Sequence, residues 1–129
     1  MTRKHIYIAY TGGTIGMQKS DDHGYVPVAG FMEKQLASMP EFHRPEMPDY
    51  TIHEYEPLID SSDMTPADWQ QIADDIRDNY EKYDGFVILH GTDTMAYTCL
   101  LYTSDAADYF MGVDLGGRRI IKKVVGWCW

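Results

Sequence analysis

Two short motifs combine threonine hydroxyls with glycine where an α/β fold places its chemistry. The first, Tyr10-Thr11-Gly12-Gly13-Thr14-Ile15-Gly16, directly follows the apolar run Ile6-Tyr7-Ile8-Ala9. The second, His90-Gly91-Thr92-Asp93-Thr94-Met95, directly follows Phe86-Val87-Ile88-Leu89. Glycine beside a hydroxyl lets the backbone approach a substrate closely and leaves its N–H donors unobstructed. Because ligands of open parallel sheets bind beyond the carboxyl ends of the strands, both motifs can face one pocket, which suggests a threonine nucleophile.

Each motif also has an interpretation without catalysis. A glycine loop after a strand can be a tight turn or an anion site at a helix N-terminus, although Gly12-Gly13-Thr14-Ile15-Gly16 matches neither nucleotide-binding motif. Thr92-Asp93 can cap a helix, and Asp60-Ser61, which also follows a predicted strand, can be part of a turn. Three small hydroxyl residues at three successive strand ends, two of them next to an acid, nevertheless favour one shared site.

The elements that must position these loops alternate between strand and helix. Short apolar or alternating stretches predict strands over 4–10, 50–55 and 86–89. Helical spacing of apolar residues predicts a helix from Pro66, capped by Thr65 and closed near Asp84-Gly85. This order predicts the α/β fold class, with a parallel sheet, flanking helices and right-handed crossovers.

Two further residues near the predicted pocket have ordinary structural interpretations. The polar stretch 17–30 is turn-rich and predicts a mobile loop or a hairpin over the pocket, with Tyr25 by default as its hydrophobic anchor. His90, next to a buried strand, is more typical of a hydrogen-bonded core histidine than of a catalytic base. Another helix is expected to start near Asp93 or Thr94.

Composition narrows the class of protein. The 129 residues suit one domain or part of one, and the apolar share of 44% is sufficient for a core. The net charge of −9 argues against a nucleic-acid partner, because phosphate binding needs clustered Lys and Arg. No apolar stretch approaches membrane-spanning length and no leader opens the chain, so we expect no membrane partner and a cytoplasmic location.

Residues 4–98 resemble the N-terminal domain of bacterial L-asparaginases, most closely the cytoplasmic type I form. The resemblance is carried by Tyr7–Met17, Asp60–Met64 and Gly85–Met95, which contain the two signature motifs of the family. It implies a truncated N-terminal domain of the asparaginase fold. It also implies an amidohydrolase that converts L-asparagine to L-aspartate and ammonia without a metal or organic cofactor. The full-length parent is expected to be a homo-oligomer, a dimer or a tetramer.

The resemblance assigns catalytic roles to four residues. Thr14 aligns with the nucleophile, whose hydroxyl attacks the side-chain amide carbon and forms a β-aspartyl ester. Tyr25 matches a loop tyrosine that closes on Thr14 and assists its activation. Thr92 matches a second catalytic threonine that positions the hydrolytic water or activates the attack. Asp93 belongs to the same motif.

The resemblance also assigns substrate-binding roles. Asp60 and Ser61 match residues that grip the α-amino and α-carboxylate groups of asparagine, while Thr92 and Asp93 complete the site and Asp93 pairs with the α-ammonium. A zwitterionic substrate needs such opposed anchors, because unpaired buried charge is costly.

The resemblance is expected to end at residue 98, which divides the chain into 1–98 and 99–129. Residues 99–129, beginning Cys99-Leu100-Leu101-Tyr102, resemble translated sequencing-adapter read-through; the alternative is a genuine helix followed by a short strand. The catalytic lysine that partners Thr92 and Asp93 in the family, and its small C-terminal domain, have no counterpart in that stretch. The chain as written is therefore expected to be inactive and to expose a sheet edge along Val87-Ile88-Leu89.

Two alternatives remain open at this point. One is a non-catalytic small-molecule or anion-binding module of α/β fold, which would hold its ligand at the strand ends without turnover. The other lies within the family: an amidotransferase subunit that uses a related domain to release ammonia for transfer-RNA work.

Overall fold

The computed structural model describes residues 3–22, 24–102 and 124–127. In chain order the elements are β1 (His5–Tyr10), β2 (Met17–Ser20), β3 (Gly24–Pro27), α1 (Phe31–Ser38), β4 (Asp49–Glu54), α2 (Pro66–Asn79), β5 (Gly85–Leu89), α3 (Met95–Tyr102) and β6 (Val124–Trp127). Four of the described strands form one parallel sheet in the order β4-β1-β5-β6. The α/β class with a parallel sheet is thus confirmed.

The register of the sheet brings the ends of its first three strands together. Tyr10, the last residue of β1, lies opposite Glu54 on one side and Leu89 on the other. Alternate residues of β1 face opposite sides, so Tyr7 and Ala9 pack with Ile72 of α2, whereas Ile8 and Tyr10 join a separate core cluster with residues of α1. Apolar cores on both faces explain why β1 is apolar throughout instead of alternating.

The helix α2 begins where the sequence predicts and ends earlier. Its first turn is fixed by Asp68, whose carboxylate accepts the N–H of Thr65 at 2.7 Å. The expected end at Asp84-Gly85 is wrong, because α2 stops at Asn79. Asp84 instead accepts the N–H of His5 at 2.9 Å, and Gly85 opens β5.

The stretch after the first glycine motif forms a hairpin, which was one of the two expected forms. β2 and β3 pair antiparallel and make a two-stranded sheet of their own, with Lys19 opposite Tyr25. Its mobility stays a prediction.

The expectation of an uncovered β5 edge is wrong. β6 pairs parallel with β5, with Phe86 opposite Val124 and Leu89 opposite Trp127. The sequence Val124-Val125-Gly126-Trp127 contains two β-branched residues and one aromatic residue, types that favour strands. Residues 103–123 and 128–129 lie outside the described residues, α3 runs through residue 98, and the domain boundary there stays a prediction.

One structural property bears on membranes. Among the described residues, no helix has both the length and the apolar character needed to cross a bilayer.

Candidate active site

Three loops meet at the carboxyl ends of β1, β4 and β5: the first loop (residues 11–16), the second loop (55–65) and the third loop (90–94). Backbone hydrogen bonds connect them directly. The N–H of Thr11 donates to the carbonyl of Leu89 at 2.9 Å, and the N–H of Ile59 donates to the carbonyl of Thr11 at 2.7 Å. The parallel register therefore delivers all three sequence motifs to one edge of the sheet.

The two glycine-threonine motifs touch through their glycines. Gly13 has a φ of +109°, and a Cβ added to it would lie 3.1 Å from the backbone nitrogen of Gly91. This positive φ and this close approach both require glycine. Thr14 and Thr92 each directly follow one of these contacting glycines, and both threonines are solvent-exposed. Within the described part of the chain, the Thr14 hydroxyl has no hydrogen-bond partner.

Ser61 connects the second loop to the third. Its side chain is 5% exposed, and its hydroxyl donates to Oδ2 of Asp93 at 2.9 Å. A Cβ on Gly91 would collide with the Ser61 hydroxyl, so this position also needs glycine. The hydroxyl of Thr94 donates to the carbonyl of Ser61 at 2.9 Å. The exposed Asp93 carboxylate is consequently held in one orientation by a buried partner.

Asp60 presents a second carboxylate beside Ser61. It is exposed, and its Oδ1 accepts the N–H of Ser62 at 2.9 Å and the hydroxyl of Ser62 at 2.7 Å. The hydroxyl and then the N–H of Ser62 hold the pKa of Asp60 below its ordinary value. The site thus has two carboxylates beside two exposed hydroxyls.

Tyr25 stands apart from these groups. It lies on β3 of the hairpin and is 64% exposed. Over residues 3–22, 24–102 and 124–127, no hydrogen bond or ring contact joins it to the three loops. The structure therefore assembles Thr14, Thr92, Asp93 and the pair Asp60-Ser61, but it does not bring Tyr25 to them.

His90 supports the third loop from below, and its interpretation as a hydrogen-bonded core histidine is confirmed. Its ring is buried; Nδ1 faces the carbonyl of Gly91, and Nε2 lies 3.0 Å from the hydroxyl of Thr98. A carbonyl only accepts, so Nδ1 carries a proton and donates to Gly91. Thr98 in turn accepts the indole N–H of Trp69 at 2.8 Å, which ties the third loop to α2.

Sequence reasoning missed the role of Tyr10, because it treated Tyr10 as an ordinary strand residue. In the structure Tyr10 supports the first loop. It is 1% exposed, and its hydroxyl donates to the carbonyl of Gly13 at 3.1 Å. Burial, together with the nearby charge of Glu54, raises the pKa of Tyr10, so the phenol stays a neutral donor. The sequence does contain a hint of this arrangement: Gly16, because any side chain there would overlap the Tyr10 phenol.

Comparison with known proteins identifies the family. A family model described as "Asparaginase, N-terminal" matches residues 5–105. "L-asparaginase 1" of Escherichia coli (strain K12) is 74% identical over 121 residues, which are 94% of this chain and 34% of that protein.

Two solved structures agree. L-asparaginase I from Vibrio cholerae O1 biovar eltor is 85% identical, with a TM-score of 0.67 over 76% of this chain and 29% of that one. The "Probable Cytoplasmic L-asparaginase" from Campylobacter jejuni is 28% identical, with a TM-score of 0.58 over 77% of this chain and 28% of that one. This chain spans about a third (34%) of the length of the E. coli relative. Since the family match runs through all three strand-end loops, this chain belongs to the asparaginase family, whose N-terminal domain it matches.

Proposed function

We propose that this domain supplies the nucleophile and the substrate anchors of an L-asparaginase, an amidohydrolase that converts L-asparagine to L-aspartate and ammonia. The observation that carries the proposal is the contact between Gly13 and Gly91, the residues directly before Thr14 and Thr92. Two exposed hydroxyls beside two oriented carboxylates suit acyl transfer on a small zwitterion.

Thr14 is the proposed nucleophile. Its hydroxyl oxygen attacks the side-chain amide carbon of asparagine, and the tetrahedral intermediate collapses as the C–N bond breaks. The hydroxyl proton is passed to the leaving nitrogen, so ammonia departs and a β-aspartyl ester remains. Water then adds to the ester carbon, and aspartate leaves as Thr14 regains its proton. Backbone N–H groups near Gly13, Thr14 and Thr92 would stabilise the oxyanion in both steps.

The remaining residues position the reactants. Asp60 and Ser61 grip the α-amino and α-carboxylate groups, and Asp93 pairs with the α-ammonium. Thr92 positions the hydrolytic water or activates the attack. The orientation of Asp93 by the buried Ser61 hydroxyl supports this assignment, because an anchor fixed before binding loses less entropy.

Tyr25 is proposed to assist Thr14 after the hairpin moves towards the strand ends. Its exposed position in the free domain fits a residue that joins the site only when substrate binds.

The wider setting is also a proposal. The name of the Campylobacter relative supports a cytoplasmic location. The net charge of −9 supports the absence of a nucleic-acid partner. A homo-oligomeric parent enzyme and chemistry without a cofactor rest on the family resemblance.

A hybrid enzyme tests the function. Residues 1–98 are joined to the C-terminal remainder of E. coli L-asparaginase 1, and ammonia release from asparagine and from glutamine is compared with that of the intact E. coli enzyme. We expect the hybrid to hydrolyse asparagine and the 129-residue chain alone to release no measurable ammonia. A folded hybrid that binds asparagine without releasing ammonia would instead support the non-catalytic binding module.

A further inference from the structure

One segment carries both the proposed nucleophile and the loop tyrosine. It runs from Gly13 to Gly30 and is called here the 13–30 segment; it contains Thr14 at its start and Tyr25 in its hairpin. Both terminal glycines have a positive φ, +109° at Gly13 and +72° at Gly30, as does Gly24 within the segment at +74°. Such conformations favour glycine.

The first end of the segment is held by a tyrosine. The Tyr10 hydroxyl donates to the Gly13 carbonyl at 3.1 Å, directly before Thr14. Gly16 packs against the same phenol so closely that a Cβ there would overlap it. The Tyr10 ring therefore contacts both sides of Thr14 along the chain.

The second end is held by a carboxylate. Oε2 of Glu54 accepts the N–H of Gly30 at 2.7 Å, immediately before α1. Oε1 of Glu54 is shielded from solvent and has no hydrogen-bond partner among the described residues. A carboxylate oxygen left in that state lowers stability, so stability alone does not account for a glutamate at this position.

The two holding residues are neighbours in the sheet. Tyr10 ends β1, Glu54 ends β4, and the parallel register sets them opposite each other. Between the two ends, β2 and β3 pair only with each other among the described strands. The segment is therefore bound to the sheet at its two ends by side chains from one register position.

We propose that Tyr10 and Glu54 are a pair of positioning residues that bracket the 13–30 segment and thereby set the positions of Thr14 and Tyr25. This inference rests on the proposed function for the chemical roles of those two residues. Releasing either end displaces the segment, and a displacement of about 1 Å can lower a rate by about a hundredfold. Because one released end is enough, the two losses are less than multiplicative.

The test uses the hybrid enzyme with Tyr10→Phe, Glu54→Ala and Glu54→Gln, together with the double variant Tyr10→Phe/Glu54→Ala. Phenylalanine removes only the hydroxyl, and glutamine keeps an acceptor for Gly30. Tyr50→Phe, at the start of β4 in the same apolar cluster as Tyr10, and Glu56→Ala, at an exposed position two residues after Glu54, are matched controls. The readouts are kcat, KM and peptide-resolved hydrogen exchange.

We expect Tyr10→Phe and Glu54→Ala to lower kcat by about tenfold or more and to raise hydrogen exchange within 13–30 alone. The kcat of Glu54→Gln and of both controls should stay within about threefold of the kcat of the hybrid without substitutions. The kcat of the double variant should lie within about threefold of the kcat of the slower single variant. If Glu54→Ala does not fold, Glu54→Asp, which shortens the side chain by one methylene, replaces it with the same expectation.

Three results would overturn the bracket: unchanged exchange in 13–30, exchange raised equally in β1, β4 and β5, or a Glu54→Gln variant as impaired as Glu54→Ala. The last would assign the effect to charge instead of to the hydrogen bond with Gly30. Failure of the proposed function would look different. If the hybrid enzyme without substitutions has no activity, the proposed function is refuted. Hydrogen exchange in the variants would still test whether Tyr10 and Glu54 hold the 13–30 segment.

Discussion

The two sides of the candidate site are held in different ways. The second and third loops are fixed to each other by side chains at several points, including the bonds from Ser61 to Asp93 and from Thr94 to Ser61. The 13–30 segment, which supplies Thr14 and Tyr25, is bound to the sheet near Gly13 and Gly30. The proposed substrate anchors and Thr92 thus lie on a side fixed at several points, and Thr14 and Tyr25 lie on a side held near its ends.

This difference matches what the proposed chemistry needs. Anchors that bind a zwitterion gain affinity from being fixed before the substrate arrives. Groups that must close over the substrate and exclude water gain from having a second position available. We therefore expect substitutions of the anchors to affect binding and substitutions of Thr14 and Tyr25 to affect kcat.

The largest effect is expected from Thr14→Ala in the hybrid enzyme. Turnover should fall by about a thousandfold or more, because no ester can form without the hydroxyl. Thr14 is exposed, so the melting temperature should change little. Steady-state ammonia release and thermal unfolding measure both, with Thr14→Ser as the control that keeps a hydroxyl. Normal kcat in Thr14→Ala would remove Thr14 from the mechanism.

On the side fixed at several points, Asp93→Asn should lower kcat/KM for asparagine by about a hundredfold, mainly through KM, because the α-ammonium loses its charged partner. In this variant the amide oxygen of the new side chain at position 93 can still accept the Ser61 hydroxyl, so the fold should keep its stability. Asp63→Asn, an exposed carboxylate in the turn Ser61–Asp63, is the matched control. A drop in kcat with unchanged KM would place Asp93 among the reacting groups instead of the anchors.

On the segment side, Tyr25→Phe should lower kcat by about tenfold with a smaller change in KM, since the hydroxyl acts only after closure. Tyr97→Phe is a matched control, because Tyr25 and Tyr97 are both 64% exposed. Hydrogen exchange without ligand should be faster over 20–28 than over β1. Protection of 20–28 equal to that of the sheet would argue against a moving hairpin.

Local sequence patterns predicted much of the fold because they depend on neighbouring residues. The predicted strand 4–10 corresponds to His5–Tyr10, and the capped start of α2 lies at Pro66 as predicted. The predicted end of α2 was wrong. Asp84-Gly85 is typical of a helix end, but in the structure the Asp84 carboxylate accepts the N–H of His5, a residue distant in sequence.

Long-range pairings could not be predicted in the same way. The glycine-threonine motifs indicated a shared site, but that Gly13 touches Gly91 follows only from the strand register. The pairing of Tyr10 with Glu54 also depends on the order of β4 beside β1. The pairing of β6 with β5 was missed because no feature of the sequence 99–129 indicates which strand it pairs with.

The smallest effect concerns Asp60, whose pKa is held low mainly by the hydroxyl and then by the N–H of Ser62. Ser62→Ala removes the hydroxyl, so the pKa of Asp60 should rise towards its ordinary value. A carboxyl with a lowered folded-state pKa stabilises the fold above its unfolded pKa, and that contribution is lost as pH falls through the folded pKa. The variant should therefore be slightly less stable at neutral pH and indistinguishable at strongly acidic pH. Carbon-13 NMR titration of Asp60 measures the shift, with Ser38→Ala, on α1, as the control. An unchanged Asp60 titration in Ser62→Ala would show that the Ser62 hydroxyl does not lower the pKa of this proposed anchor.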